Sequence, residues 1–275
     1  NMSPTILTHR GLESSKPDFY PESSIEAFEN QLKRGFGIEF DPNFTPNEIL
    51  VWHDATFERA KGKIPTLDEV MELIRNSTSL INALHFKGKF QNPRDIKLLI
   101  KYLKRNSDVL FKILVFDVKP QTANMLLRTF PDLQLAPSVA HQYDVTRFNS
   151  VVANTLIETD EAVELLKKGV FGKNPWCWLD EWDLEDEGGG VKKLYTFDVF
   201  GKMRKAGAKI ALVTSELHGT SPGLYGGESH PDSKDLPTLF KRIKEILSLK
   251  PDAICTDYPE EVLTLISSLV GSRPP

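Results

Sequence analysis

Gly37-Ile38-Glu39-Phe40-Asp41 reads as a β-strand, and His53-Asp54 follows it within one short excursion. Residues two apart on a strand point to the same side, so Glu39 and Asp41 present two carboxylates to one place. Two anions side by side raise each other's pKa unless a positive charge lies between them. A divalent cation is the usual remedy, and a nearby histidine adds acid–base chemistry at such a site.

Outward from this strand, short β-rich runs alternate with longer segments of helical period. Strands are expected at Thr5–Thr8, Gly37–Asp41, Leu80–Phe86, Lys112–Val118, Leu133–Leu135, Cys177–Leu179, Lys209–Thr214 and Ala253–Cys255. Helices are expected at Ser24–Arg34, Thr66–Ile74, Pro93–Arg105, Thr122–Thr129, Asp160–Lys168, Phe197–Ala206, Leu236–Leu249 and Glu260–Leu269. Ser23 and Glu26 have the spacing of a capping box for the first helix. Pro46-Asn47-Glu48 marks a hairpin-like turn, and residues 136–175 carry the weakest pattern. Eight β/α alternations in 275 residues predict one domain, 1–275, built as a closed (β/α)8 TIM barrel. No Gly-rich phosphate loop follows any strand, which disfavours an open nucleotide-binding sheet.

A barrel of this kind builds its active site at the C-terminal strand ends. The first four strands end in His9-Arg10, Glu39/Asp41, His85/Lys87 and Asp117/Lys119. Singly, each has a plain structural explanation. His9 could bond to backbone at the barrel mouth, and Asp117/Lys119 could be a simple ion pair. Together, on consecutive strand ends, they fit a cation with a phosphate-sized anion.

The formal net charge is −4, with acids and bases mixed along the chain. That gives no electrostatic footprint for nucleic acid or an anionic membrane, and no apolar stretch is long enough to span a bilayer. The first strand begins close to residue 4, which leaves no room for a signal peptide, so a cytoplasmic location is expected. Cys177 and Cys255 lie in apolar, strand-like runs and read as buried free thiols. Asp183–Gly190 and Leu217–Pro237 are long segments on the active face; the second, with His218 and His230, could act as a cover. Trp176, Trp178 and Trp182, beside Asp180, Glu181 and Glu216, read first as core packing. Their other reading is an aromatic wall for a cationic head group.

The chain resembles the glycerophosphodiester phosphodiesterase family. The resemblance is carried by His9-Arg10-Gly11, Pro21-Glu22-Ser23, Ile38-Glu39-Phe40-Asp41, His53-Asp54, Ile64-Pro65-Thr66-Leu67-Asp68-Glu69-Val70, Leu84-His85-Phe86-Lys87 and Thr256-Asp257-Tyr258-Pro259. It implies a TIM barrel of the phospholipase C-like phosphodiesterase type, here with a reduced insertion after strand 2. It also implies metal-dependent hydrolysis of glycerophosphodiesters or similar small polar phosphodiesters. His9 and His53 would be the acid/base pair, Arg10 and Lys87 would bind phosphoryl oxygens, and Glu39 and Asp41 would hold a divalent metal. Asp54 would hold the loop that bears His53. The metal would be Mg²⁺ or Ca²⁺ by resemblance. The family has Glu where this chain has His85, so Mn²⁺, Zn²⁺ or Fe²⁺ also enters. His85 could be the third ligand, or Asp117 could supply the missing carboxylate. The alternatives are a phospholipase D-like lyase that forms a cyclic phosphate, and a catalytically weak barrel that binds phosphorylated ligands. Expected partners are small-molecule phosphodiesters, with neither nucleic acid nor stable membrane insertion.

Overall fold

The computed structural model describes residues 3–15, 20–182, 194–217 and 230–271. Strands are β1 Thr5–His9, β2 Gly37–Phe40, β3 Pro42–Phe44, β4 Ile49–Val51, β5 Asn82–His85, β6 Ile113–Phe116, β7 Gln134–Ala136, β8 Ser138–Val139, β9 Leu156–Ile157, β10 Trp176–Leu179, β11 Lys209–Val213 and β12 Ala253–Thr256. Helices are α1 Ile25–Lys33, α2 Leu67–Arg75, α3 Pro93–Arg105, α4 Pro120–Thr129, α5 Gln142–Phe148, α6 Thr159–Lys167, α7 Phe197–Lys205, α8 Leu236–Ser248 and α9 Pro259–Gly271.

The main sheet is parallel and runs β7-β6-β5-β2-β1-β12-β11-β10-β8-β9. Its ends meet at Pro137. β7 pairs with β6, β8 pairs with β10, and the Trp178 amide donates to the Pro137 carbonyl at 3.0 Å. Proline has no N–H for a ladder, so β7 and β8 form one stave broken at that residue. With that stave counted once, eight staves close the expected barrel. β9 is an addition that pairs with β8 at the rim.

Strand alternation sorts the core. Leu7, Ala83, Leu114, Trp176, Trp178 and Cys255 belong to one buried cluster inside the barrel. Their neighbours Ile6, Leu84, Val115, Cys177 and Ile254 belong to the larger cluster between sheet and helices. Phe116 and Trp178 stack across the interior, with ring centroids 3.7 Å apart. Both cysteines are buried free thiols. No helix among the described residues is long and apolar enough to cross a membrane.

Local expectations change at the helix starts. The N-cap of α1 is Ser24, whose hydroxyl accepts from the Ala27 amide, while Ser23 takes a left-handed φ of 58°. The full capping box is at α2, between Thr66 and Glu69. Residues 137–157 hold β8, α5 and β9, elements of two to seven residues that are too short to give a clear period.

Candidate active site

β1 delivers His9 to the rim, and the chain then turns sharply through Arg10 and Gly11, with φ of 58° and 72°. A Cβ on Gly11 would lie 3.1 Å from the Cβ of Ala27, so glycine also permits the close approach of α1. The Arg10 amide donates to the Glu39 carbonyl at 3.0 Å, and Nη1 donates to Glu22 Oε2 at 2.7 Å. Burial opposes the Arg10 charge, but Asp41, Glu22 and Glu39 outweigh it and raise its pKa.

Closure of the sheet brings β12 beside β1, with Thr8 opposite Thr256. One residue on, His9 Nδ1 lies 3.1 Å from Oδ1 of fully buried Asp257. Glu216 secures this strand end. Its Oε1 accepts from the Thr214 hydroxyl at 2.6 Å, the Thr256 hydroxyl at 2.7 Å and the Asp257 amide at 2.9 Å. Burial and the nearby Asp257 raise the Glu216 pKa.

Glu39 and Asp41 are 4% and 1% exposed. Asp41 Oδ1 lies 3.0 Å from His85 Nδ1, and Asp117 Oδ2 lies 2.9 Å from His85 Nε2. His85 is therefore held between two carboxylates. Asp117, at φ 67°, leaves the strand alternation to reach it, and pairs with His85 instead of Lys119. Burial, then repulsion from Asp41, pushes the Glu39 pKa up to about 7. Burial alone would also raise that of Asp41, but Lys87, the His85 hydrogen bond and His53 hold it well below the carboxylate range. Burial lowers the His85 pKa, yet its bonds to Asp117 and Asp41 prevail and bring it to about 9.

β3 and β4 form the hairpin that returns the chain to the rim at His53. His53 Nδ1 lies 3.1 Å from Asp54 Oδ1, and Arg59 grips Asp54 with two hydrogen bonds of 2.7 and 3.0 Å. Burial is the largest cause that takes the His53 pKa down to about 3; Asp41 opposes it, and Arg10 and Lys87 reinforce it. Lys87 Nζ donates to the His53 carbonyl.

The donor set, two carboxylates and an imidazole, fits a divalent cation. Donor atoms of Glu39, Asp41 and His85 all lie within 4.8 Å of one another. Glu39 Oε2 and Asp41 Oδ2 are buried without a hydrogen-bond partner among the described residues; Arg10 Nε stands 3.8 Å from the latter. Buried acceptors of this kind are costly unless something positive satisfies them.

The structure thus gathers His9, Arg10, Glu39, Asp41, His53, His85, Lys87 and Asp117 on one rim. Residues of the second group are used elsewhere. Glu181 accepts from the Leu194 and Tyr195 amides and pairs with Arg242 at 3.1 Å. Trp176 Nε1 donates to Gln134, so this ring is core. His230 is 4% exposed and caps a short turn, accepting from the Asp232 amide. The segment Asp183–Gly190, and residues 218–229 of the expected cover Leu217–Pro237, lie outside the described residues. Sequence reasoning gave no role to Asp257 or to Glu22. The signal for Asp257 was present: barrel closure sets the end of the last strand beside His9.

No protein-family model and no curated protein matches the chain. Solved structures do. A glycerophosphoryl diester phosphodiesterase from Parabacteroides distasonis superposes with a TM-score of 0.62 at 19% identity, covering 97% of this chain and 87% of that one. A glycerophosphodiester phosphodiesterase from the same organism gives 0.60 at 17%, covering 98% of each chain. One from Agrobacterium tumefaciens gives 0.55 at 16%, covering 96% and 99%. The chain has the fold of the glycerophosphodiester phosphodiesterase barrels.

Proposed function

We propose that this protein is a divalent-metal-dependent phosphodiesterase acting on glycerophosphodiesters or similar small polar phosphodiesters. One observation carries the reading. Two imidazoles, each backed by a carboxylate, share one barrel rim with two buried carboxylates and the cations Arg10 and Lys87. Structures of like fold bear the name glycerophosphodiester phosphodiesterase.

Glu39, Asp41 and His85 would hold the ion, which when bound polarises the phosphoryl group. Arg10 and Lys87 neutralise phosphoryl oxygens. Lys87, now on the His53 carbonyl, exchanges that acceptor for the substrate. One histidine takes the proton of the attacking oxygen while the other delivers a proton to the leaving alcohol oxygen. The bond from phosphorus to the nucleophile forms as the bond to the leaving oxygen breaks. His53 is neutral in its buried setting and so able to accept a proton; the Asp257 carboxylate at Nδ1 orients the His9 ring. Water as nucleophile gives hydrolysis, and a substrate hydroxyl gives a cyclic phosphate. Two buried free thiols fit a reducing compartment, so a cytoplasmic location is part of this reading.

The test is turnover of a chromogenic phosphodiester after EDTA treatment, with Mg²⁺, Ca²⁺, Mn²⁺ or Zn²⁺ restored singly. Activity with at least one ion is expected, and ³¹P NMR of the product separates hydrolysis from cyclisation. Phosphate binding without turnover under every ion would replace this reading with that of a binding barrel.

A further inference from the structure

The imidazole of His85 is held at both nitrogens and on one face. Asp41 Oδ1 and Asp117 Oδ2 lie 3.0 and 2.9 Å from its two nitrogens. Phe116 stacks on its face, with centroids 4.6 Å apart and planes at 14°. The partner Asp117 is clamped in turn. Gln91 Nε2 donates to the carbonyls of both Asp117 and Phe86, at 2.7 Å each, and Gln91 Oε1 accepts from the Lys119 amide at 2.9 Å. One glutamine thus ties together the strand ends that carry His85 and Asp117. Asp117 is itself 7% exposed and is not in the group of clustered donors.

We propose that Asp117 is a positioning residue: it fixes His85 as a nitrogen ligand through Nδ1, and so biases the site toward ions that favour imidazole, such as Zn²⁺, over Mg²⁺. This rests on the metal-dependent reading above. A carboxylate that accepts the N–H of one imidazole nitrogen sets the tautomer and raises the basicity of the other. The 3.0 Å between Nδ1 and Asp41 Oδ1 is a hydrogen bond, and a widening of a few tenths of an ångström reaches the roughly 3.4 Å between tetrahedral zinc ligands that each sit about 2.1 Å from the ion. Imidazole suits Zn²⁺ or Fe²⁺, whereas Mg²⁺ and Ca²⁺ favour all-oxygen sites.

The test is calorimetric titration of Zn²⁺ and of Mg²⁺ into the metal-free protein and into Asp117→Gly, His85→Glu and the double variant. Glycine suits the left-handed backbone at 117, so the fold is retained; circular dichroism checks it. Asp117→Gly is expected to weaken Zn²⁺ about 10–100-fold with little change for Mg²⁺. In the His85→Glu background the same substitution is expected to have no effect on Zn²⁺. With Co²⁺ as probe, the wild type should show a solvent-exchangeable, hyperfine-shifted imidazole N–H resonance that His85→Glu abolishes. Equal losses for both ions, or an equal loss in the Glu background, would reduce Asp117 to a structural role and overturn the proposal. If the wild type binds neither ion, the metal-dependent reading falls and this one with it.

Discussion

At the scale of residues, His9 and His53 share one device: a carboxylate on Nδ1 fixes the ring. The carboxylates differ, since Asp257 is buried whereas Asp54 is shared with Arg59. His9→Asn and His53→Asn should each lower kcat by about 10²–10⁴ with an unchanged circular dichroism spectrum; steady-state kinetics on the phosphodiester checks this. His85 gives a pH signature in the metal-free protein. Its pKa rises from 6.5 to about 9 on folding, so the folded state holds its proton more tightly. That stabilisation is complete below pH 6.5 and disappears as pH climbs through about 9. Melting curves in EDTA should show wild type losing about 5 °C more than His85→Gln between pH 6 and pH 10. The parity of Glu39 and Asp41 made the acidic pair readable in sequence. The embrace of His85 by Asp117 was not, because it depends on one left-handed residue that breaks strand alternation.

At the scale of elements, long amphipathic helices were legible because many positions vote for one period. α3 begins and ends where expected, with Asn92 as its cap and Pro93 at its first turn. The two-residue strands β8 and β9 offer no period to read. They matter for the rim all the same. The loop before β9 packs on Gly88, where an added Cβ would lie 2.4 Å from the Val152 carbonyl and 2.7 Å from Thr155 Cγ2. A backbone oxygen cannot swing aside as a side chain can. Gly88→Ala should therefore cost about 1–3 kcal/mol by urea denaturation. It should also reduce activity, because Lys87 is the preceding residue.

At the scale of the whole molecule, the barrel was readable from eight alternations, but not how it closes, since Pro137 hides one stave in two pieces. Ala83, Leu114, Trp176, Ala211 and Ala253 share the interior cluster with the stacked rings of Phe116 and Trp178. Trp178→Ala would open a large void there and should cost about 3–5 kcal/mol, measured as a loss of thermal stability. The charged groups sit above that packing. What makes the barrel stand is thereby separated from what reacts. On the proposed reading, a donor at the mouth can be exchanged for another, imidazole for carboxylate or the reverse, while the foundation stays in place; the choice of ion would then be an interchangeable fitting on a durable frame.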